Sequence, residues 1–217
     1  MKSIKNIKNV KLPAPVIKRL PKYYRFLTEV YNSGTKRISS RKLAELMGNT
    51  SSQIRQDINW FGNFGEKGHG YLVSELREII SGALGVNNAK KIVIVGAGNL
   101  GKAVGSHVDF RSWGFRVTGV FDKDPSVIGS KIAGFEVRDI AGIAGFCEDN
   151  RPVAAVLCVP RTAAEETVKL LMNCGVKAFW NFSYYNLKEE GITVQNVRLA
   201  DSLMLLSHGI ETEKYSD

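Results

Sequence analysis

The sequence predicts an α/β protein in two parts: a small, mainly helical N-terminal domain, then a larger domain built on a parallel sheet. Three observations carry that expectation. The first 60 residues hold 13 Lys and Arg against Glu29, Glu45 and Asp57, a net of +10, whereas the remaining 157 residues have a net of −1. Short helical segments punctuated by glycine fill residues 13–85, and apolar runs of strand type recur from Lys90 onward. The first of those runs leads into a glycine turn, GAGNLG at 96–101, and then a helix.

At 217 residues the chain is long enough for one large or two modest domains, each with its own core. Its 44% hydrophobic content is ordinary for a globular protein. No apolar run approaches the roughly 18–20 residues needed to cross a bilayer, and MKSIKNIKNVKLP lacks the apolar core of a signal peptide. A cytoplasmic location with no membrane partner is therefore expected. Cys147, Cys158 and Cys174 form no CxxC pair, no zinc-ligand spacing and no even-numbered disulfide framework. They are expected to be reduced thiols, with Cys158 packed inside an apolar strand, and no metal site is expected. The localised positive charge points to a polyanion, with nucleic acid the first candidate and a solvated lysine-rich arm the alternative.

Residues 1–12 read as disordered. Pro13 and Pro15 introduce a helix whose Val16, Leu20, Tyr23, Tyr24, Leu27, Val30 and Tyr31 follow a 3–4 spacing, with Pro21 expected to begin or kink a turn and Gly34 to end it. Ser39 or Ser40 can cap a second helix, closed by Gly48. Thr50, Ser51 or Ser52 can cap a third, SQIRQDINWFG. Two short helices joined by a tight glycine-containing turn form a helix-turn-helix pattern. In the third helix Ile54, Ile58 and Phe61 share one side, leaving Gln53, Arg55, Gln56 and Asn59 on other faces. Arg can grip guanine and Gln adenine through paired hydrogen bonds, which makes this the expected recognition helix, with Ser51 and Ser52 at its start.

FGNFGEKGHGY, 61–71, packs four glycines and three aromatics into eleven residues. It reads as a tight hairpin with Lys67 and His69 near its tip, a wing able to lie along phosphates or in the minor groove. The helix VSELREIISGALG closes this winged helix-turn-helix domain at residue 84. Strand-like runs then recur as KIVIVG, FRVTGVFD, FEVRDI, VAAVLCVP, VKAFWNFS and ITVQNV, through residue 198. Runs apolar on both faces suit a parallel sheet covered by helices on each side. In the tail, 199–217, Leu199, Leu203, Leu206 and Ile210 recur at helical spacing with little domain left to cover, so this helix should dock elsewhere.

A lone GxGxxG is weak evidence, but here Gly96-Ala97-Gly98-Asn99-Leu100-Gly101 stands between strand and helix. A second strand ends in Asp122, 21 residues after Gly101. Gly96 allows the tight turn, Gly98 the approach of a pyrophosphate, and Gly101 close helix–strand packing. This is the pattern of a doubly wound Rossmann domain. Asp122 suits ribose hydroxyls and repels a 2′-phosphate, favouring NAD(H) over NADP(H), a preference that adjacent Lys123 softens. Coenzyme A or another nucleotide is the rival ligand. Almost nothing follows the Rossmann-like segment in this sequence, and none of His69, His107 and His208 sits beside a carboxylate in an obvious general-base pairing. The chain thus reads as one that senses its nucleotide and does not consume it. A small NAD-dependent oxidoreductase and a DNA-binding protein with a structural, non-switching nucleotide are the alternatives.

SSQIRQDINWFGNFGEKGHGY, VIVGAGNLG, VFDKDP, CVPRTAAEE and FWNFS resemble the recognition helix, wing and Rossmann half of the Rex family of redox-sensing repressors. The resemblance covers about Pro13 to Ile210. It implies a homodimer with each C-terminal helix swapped onto the partner, binding a pseudo-palindromic DNA operator and released when NADH binds in place of NAD. It implies DNA contacts by Gln53, Arg55, Gln56 and Lys67, diphosphate and ribose binding by Gly96–Gly101 and Asp122, and a nicotinamide end near Val159, Pro160 and Asn181. Departures accompany it. Gln56 stands where members usually carry Lys, and NFSY (181–184) replaces NFAP. The family's Arg–Tyr–Asp inter-subunit latch becomes Arg25, His107 and Arg198, with Asp201 one helical turn beyond. Two arginines form no salt bridge, so either Asp201 substitutes or the redox coupling is weaker or rewired.

Overall fold

The structure, a computed structural model, describes residues 12–62 and 69–214. The chain divides into two compact units, Met1–Asn88 and Ala89–Asp217, so the break falls within the expected NNAKK linker. Of the arm expected to be disordered only Leu12 is described, and it packs against the first unit's core. Lys67 and most of the wing lie outside the described residues.

The first unit contains α1 (Ala14–Asn32), β1 (Arg37–Ile38), α2 (Ser40–Met47), α3 (Ser51–Asn59), β2 (Tyr71–Leu72) and α4 (Val73–Leu84). Helix α1 continues through Pro21, because Val16, Leu20, Tyr23, Tyr24 and Leu27 hold one face in the core while Pro21 faces outward. Ser39 caps α2, its hydroxyl accepting the Lys42 amide at 3.1 Å, and Gly48 ends it in the left-handed region at φ 60°. Thr50 caps α3 in the same way, accepting the Gln53 amide at 3.2 Å. Leu43, Met47, Ile54, Ile58, Leu76 and Ile79 are each no more than 1% exposed and join the three later helices to α1. Tyr31 is an exception to the apolar spacing: it is half exposed, with the Arg77 guanidinium 5.2 Å above its ring. The wing's return strand β2 pairs antiparallel with β1.

The second unit contains β3 (Lys90–Val95), α5 (Asn99–His107), β4 (Phe115–Asp122), β5 (Lys131–Ile132), β6 (Phe135–Asp139), α6 (Ile143–Asn150), β7 (Ala154–Leu157), α7 (Arg161–Asn173), β8 (Ala178–Asn181), β9 (Thr193–Asn196) and α8 (Leu199–Lys214). Its strands form one sheet in the order β5-β6-β4-β3-β7-β8-β9. All six expected strands are present and run parallel to one another. The short β5, absent from the sequence expectation, turns back through Ala133 and Gly134, both with positive φ, to pair antiparallel with β6.

Alternation along β3 builds both layers. Val93 and Val95 point to the face packed with Ile143, Val168 and Leu171 of α6 and α7. Ile92 and Ile94 point to the face where α5 contributes Val104. On that second face Phe110, Trp113, Phe115, Val156 and Trp180 line an apolar hollow of about 500 Å³. Helix α8 leaves Leu199, Leu203, Met204, Leu205 and Leu206 exposed, Leu205 the most at 71%.

Candidate functional site

The recognition helix is fixed from beneath by an ionic network. Arg19 of α1 donates through Nε and Nη2 to the two carboxylate oxygens of Asp57 in α3, each at 2.7 Å. Tyr23 Oη donates to the same carboxylate at 2.9 Å, and Gln53 Nε2 does so from one turn earlier, also at 2.9 Å. Asp57 is 2% exposed. Burial alone would raise its pKa, but the hydrogen bonds from Arg19, Tyr23 and Gln53 outweigh it and hold the carboxyl below the usual range. Burial, with the hydrogen bond to Asp57, pushes the Tyr23 phenol well above its ordinary value.

This network also draws on a residue expected to read DNA. Gln53 is half-buried, and its amide nitrogen donates to Asp57. Arg55, Gln56 and Asn59 are exposed, as is Ser52, while Ser51 is half-buried at the first turn. Arg55 reaches back to the Ser40 hydroxyl at 3.4 Å, so α2 steadies it. His69 is exposed and its carbonyl accepts from Arg37 at 3.4 Å. Neither Asp57 nor Arg19 stood out in the sequence. An acid among the apolar inner-face positions of a helix, in an otherwise basic segment, was the available signal.

In the second unit a cleft of about 510 Å³ opens at the carboxyl ends of β3, β4 and β7. That is where the strand order switches direction, and where such sheets bind ligands. The glycines act by close approach. Gly96 has φ +98°, and a Cβ there would lie 2.6 Å from the Cys158 carbonyl; on Gly101 it would lie 1.8 Å from the Gly96 oxygen. A Cβ on Gly98 would meet no protein atom within 4 Å, which leaves that backbone clear on its cleft side. Gly98 is the N-cap residue of α5 and Pro160 that of α7, neither making a side-chain cap, and both line the cleft. The amides at the two helix starts favour anionic oxygens there.

Asp122 closes the loop. Its carboxylate accepts the Ala97 amide at 2.5 Å and the Asp124 amide at 3.0 Å, and it remains half-buried on the cleft wall. Asn99, Leu100, Lys123, Val159 and Pro160 also line the cleft, as the sequence expects, while Ala97 is fully buried behind it.

Asn181 departs from expectation. It is 2% exposed and absent from the cleft wall. Its Nδ2 donates to the Tyr185 carbonyl and to Asn196 Oδ1, each at 2.8 Å. Its Oδ1 accepts the Ser183 amide at 3.0 Å and the Ser183 hydroxyl at 2.6 Å. With both donors and both lone pairs engaged it braces β8, β9 and the loop between them. Cys158 also departs: it follows β7, lines the cleft and is half-buried, and burial pushes its thiol up to about 12. Ile140, Cys158 and Thr167 were missed as lining residues. The first two directly follow strands β6 and β7, which was the signal that could have found them.

The expected latch residues fall in both units. Arg25 is exposed over the Phe26 ring at 5.1 Å, and His107 is exposed at the last turn of α5. Arg198 and Asp201 are exposed at the start of α8, joined by a backbone hydrogen bond of 3.1 Å. Among the described residues no group of three or more His, Cys, Asp or Glu is placed to hold a metal ion, and no helix is long and apolar enough to cross a membrane.

A helix-turn-helix unit of strong positive charge and a Rossmann unit with an open nucleotide cleft define a DNA-binding protein governed by a nucleotide. Residues 11–59 match the family described as putative DNA-binding protein N-terminus, and residues 87–185 the CoA binding domain family. The chain is 42% identical over 208 residues to the redox-sensing transcriptional repressor Rex of Thermoanaerobacter pseudethanolicus, covering 95% of this chain and 93% of that one. It is 44% identical over 193 residues to the Rex of Clostridium botulinum, covering 88% and 92%. Among solved structures it is similar to RSP, a Rex-family repressor, in complex with β-NAD⁺ and operator DNA (41% identity, TM-score 0.87, 94% of each chain). It is likewise similar to RSP in complex with β-NADH (39%, TM-score 0.86, 94% and 97%). The chain belongs to the Rex family of redox-sensing transcriptional repressors.

Proposed function

We infer that this chain is a transcriptional repressor that binds operator DNA as a homodimer, holds NAD(H) without consuming it, and leaves the operator when NADH binds. The observation that carries the reading is the pairing, in one chain, of an exposed Arg55–Gln56–Asn59 helix face with a glycine cleft closed by Asp122. Arg55, Gln56, Ser52 and His69 serve the DNA, with Lys67 of the wing. Gly96, Gly98, Asn99, Leu100 and Gly101 hold the diphosphate, Asp122 and Lys123 the ribose, and Val159 and Pro160 the nicotinamide end. Exposed apolar residues on α8 and the apolar hollow on the sheet support a second copy, with α8 exchanged between subunits. A cytoplasmic location follows from this role.

The CoA description of the second family match names a different ligand. Coenzyme A carries a ribose phosphate, which the Asp122 carboxylate repels, so a dinucleotide with free ribose hydroxyls fits better. The test is to heat-release and identify the nucleotide that co-purifies, then titrate the stripped protein with NADH, NAD⁺ and coenzyme A by calorimetry. NADH and NAD⁺ binding with none for coenzyme A is expected; tight coenzyme A binding alone would overturn the reading.

A further inference from the structure

Two thiols lie together at the far side of the second unit. Cys147, midway along α6, is 3% exposed, and Cys174, the C-cap residue of α7, is half-buried. Both belong to the apolar layer on that sheet face. Both also line one surface hollow of about 420 Å³, whose wall includes Glu148 and Arg151. The side chains interact directly: burial first, then the Cys174 thiol, pushes Cys147 up to about 11.

The same two helices start at the nucleotide cleft. Ile140, in the single 3₁₀ turn leading into α6, lines it, as do Ala163 and Thr167 in the first turns of α7. The thiols therefore lie on α6 and at the far end of α7, two helices whose N-terminal approach or first turns line the cleft.

We propose that Cys147 and Cys174 form a reversible dithiol–disulfide site, oxidised by hydroperoxides, whose state alters nucleotide affinity through α6 and α7. Cys174 is the more accessible of the two, half-buried against 3% exposure for Cys147, and reacts first. Its sulfur attacks one peroxide oxygen, the S–O bond forms, the O–O bond breaks, and the departing alkoxide or hydroxide takes up a proton. The Cys147 sulfur then attacks the sulfenic acid; the S–S bond forms, the S–O bond breaks, and hydroxide leaves as water with the Cys147 proton. Two thiols lose two electrons and one hydroperoxide gains them, giving a disulfide, an alcohol or water, and one water. Burial of Cys147 makes it a poor first nucleophile and suits it to this resolving step.

The effect on affinity rests on the nucleotide cleft of the proposed function, whereas the disulfide does not. The test treats the full chain with hydrogen peroxide, maps thiols by alkylation and peptide mass, and titrates NADH against reduced, oxidised and dithiothreitol-recovered protein. The expected product is an intrachain Cys147–Cys174 linked peptide, about 2 Da lighter than the two thiols and reversed by dithiothreitol. The NADH dissociation constant should shift by at least about threefold, an effect of the size of a weak site-to-site coupling. Cys174→Ser should abolish both changes. Oxidation confined to Cys158, Cys174 sulfinate with Cys147 still alkylated, or linkage only between chains would overturn the site. A linked peptide with unchanged NADH affinity would overturn its coupling to the cleft. Reduced protein that fails to bind NADH would instead count against the nucleotide reading, and the wild-type peptide map would still decide the thiol pair.

Discussion

Arg19 and Asp57 stand 38 positions apart in sequence and meet through two hydrogen bonds of 2.7 Å, one to each carboxylate oxygen. The pair fastens the recognition helix to α1 at the middle of its inner face. Asp57→Asn should destabilise the protein by about 3 kcal/mol at neutral pH, the low end for a broken buried pair, since the Arg19 side chain is still 27% exposed. The Asp57 pKa is lowered in the fold, so its contribution is full above the ordinary aspartate value of about 3.9 and lost as pH falls through the folded value. Urea unfolding should therefore show the gap between wild type and Asp57→Asn narrowing in acid. A gap unchanged between neutral and acid pH would contradict this role.

The glycine loop separates packing from binding. Gly98→Ala adds a methyl group with no protein atom within 4 Å, so thermal stability should stay within about 0.5 kcal/mol. NADH affinity should nonetheless fall at least about tenfold, as the methyl occupies the pyrophosphate's approach. Gly101→Ala places its methyl 1.8 Å from the Gly96 oxygen and should cost both binding and about 1–3 kcal/mol of stability, an overpacking penalty. Calorimetric titration and thermal melts of the two variants check the distinction.

Asp122 holds the Ala97 amide and lines the cleft, and the proposed function gives it the ribose as well. Asp122→Ala should weaken NADH and narrow its margin over NADPH, read as the ratio of the two dissociation constants. A margin that widens would assign the ribose to another group.

On the DNA side, Arg55→Ala should cost about 1–3 kcal/mol and relax preference at one base pair, because an exposed guanidinium reads a base edge through paired bonds. Gln53→Ala should act differently, lowering stability through Asp57 with little change in sequence preference. Fluorescence anisotropy against operator duplexes carrying single base-pair changes distinguishes the two.

The latch departures have a direct repair. Arg198→Asp, just before α8, puts back the carboxylate that the family resemblance pairs with Arg25. Release from operator by NADH should then occur with a larger ratio of affinities than in wild type. An unchanged ratio would place the coupling elsewhere.

Much of this is legible in the sequence. Ser39, Gly48 and Thr50 announce the helix ends, because caps depend on local hydrogen bonds and a left-handed backbone. The strands of the second unit announce themselves through apolar runs that a parallel sheet demands on both faces. What stayed hidden depends on partners distant in sequence. Gln53 looks like a base-reading amide until Asp57 claims it, and Asn181 looks like a ligand group until Ser183, Tyr185 and Asn196 use all its bonds. The antiparallel β5 is only two residues long, too short to show alternation. Cys158 ends an apolar run, and only the turn of Gly96 against its backbone places it at a cleft.

The most direct test is a titration of NADH into the complex of wild-type protein with the operator duplex bound in the RSP structure, followed by anisotropy, with NAD⁺ in parallel. Release by NADH at concentrations where NAD⁺ leaves the complex intact is the expected result. Equal DNA affinity with NADH, with NAD⁺ and with neither would contradict a repressor controlled by its bound nucleotide.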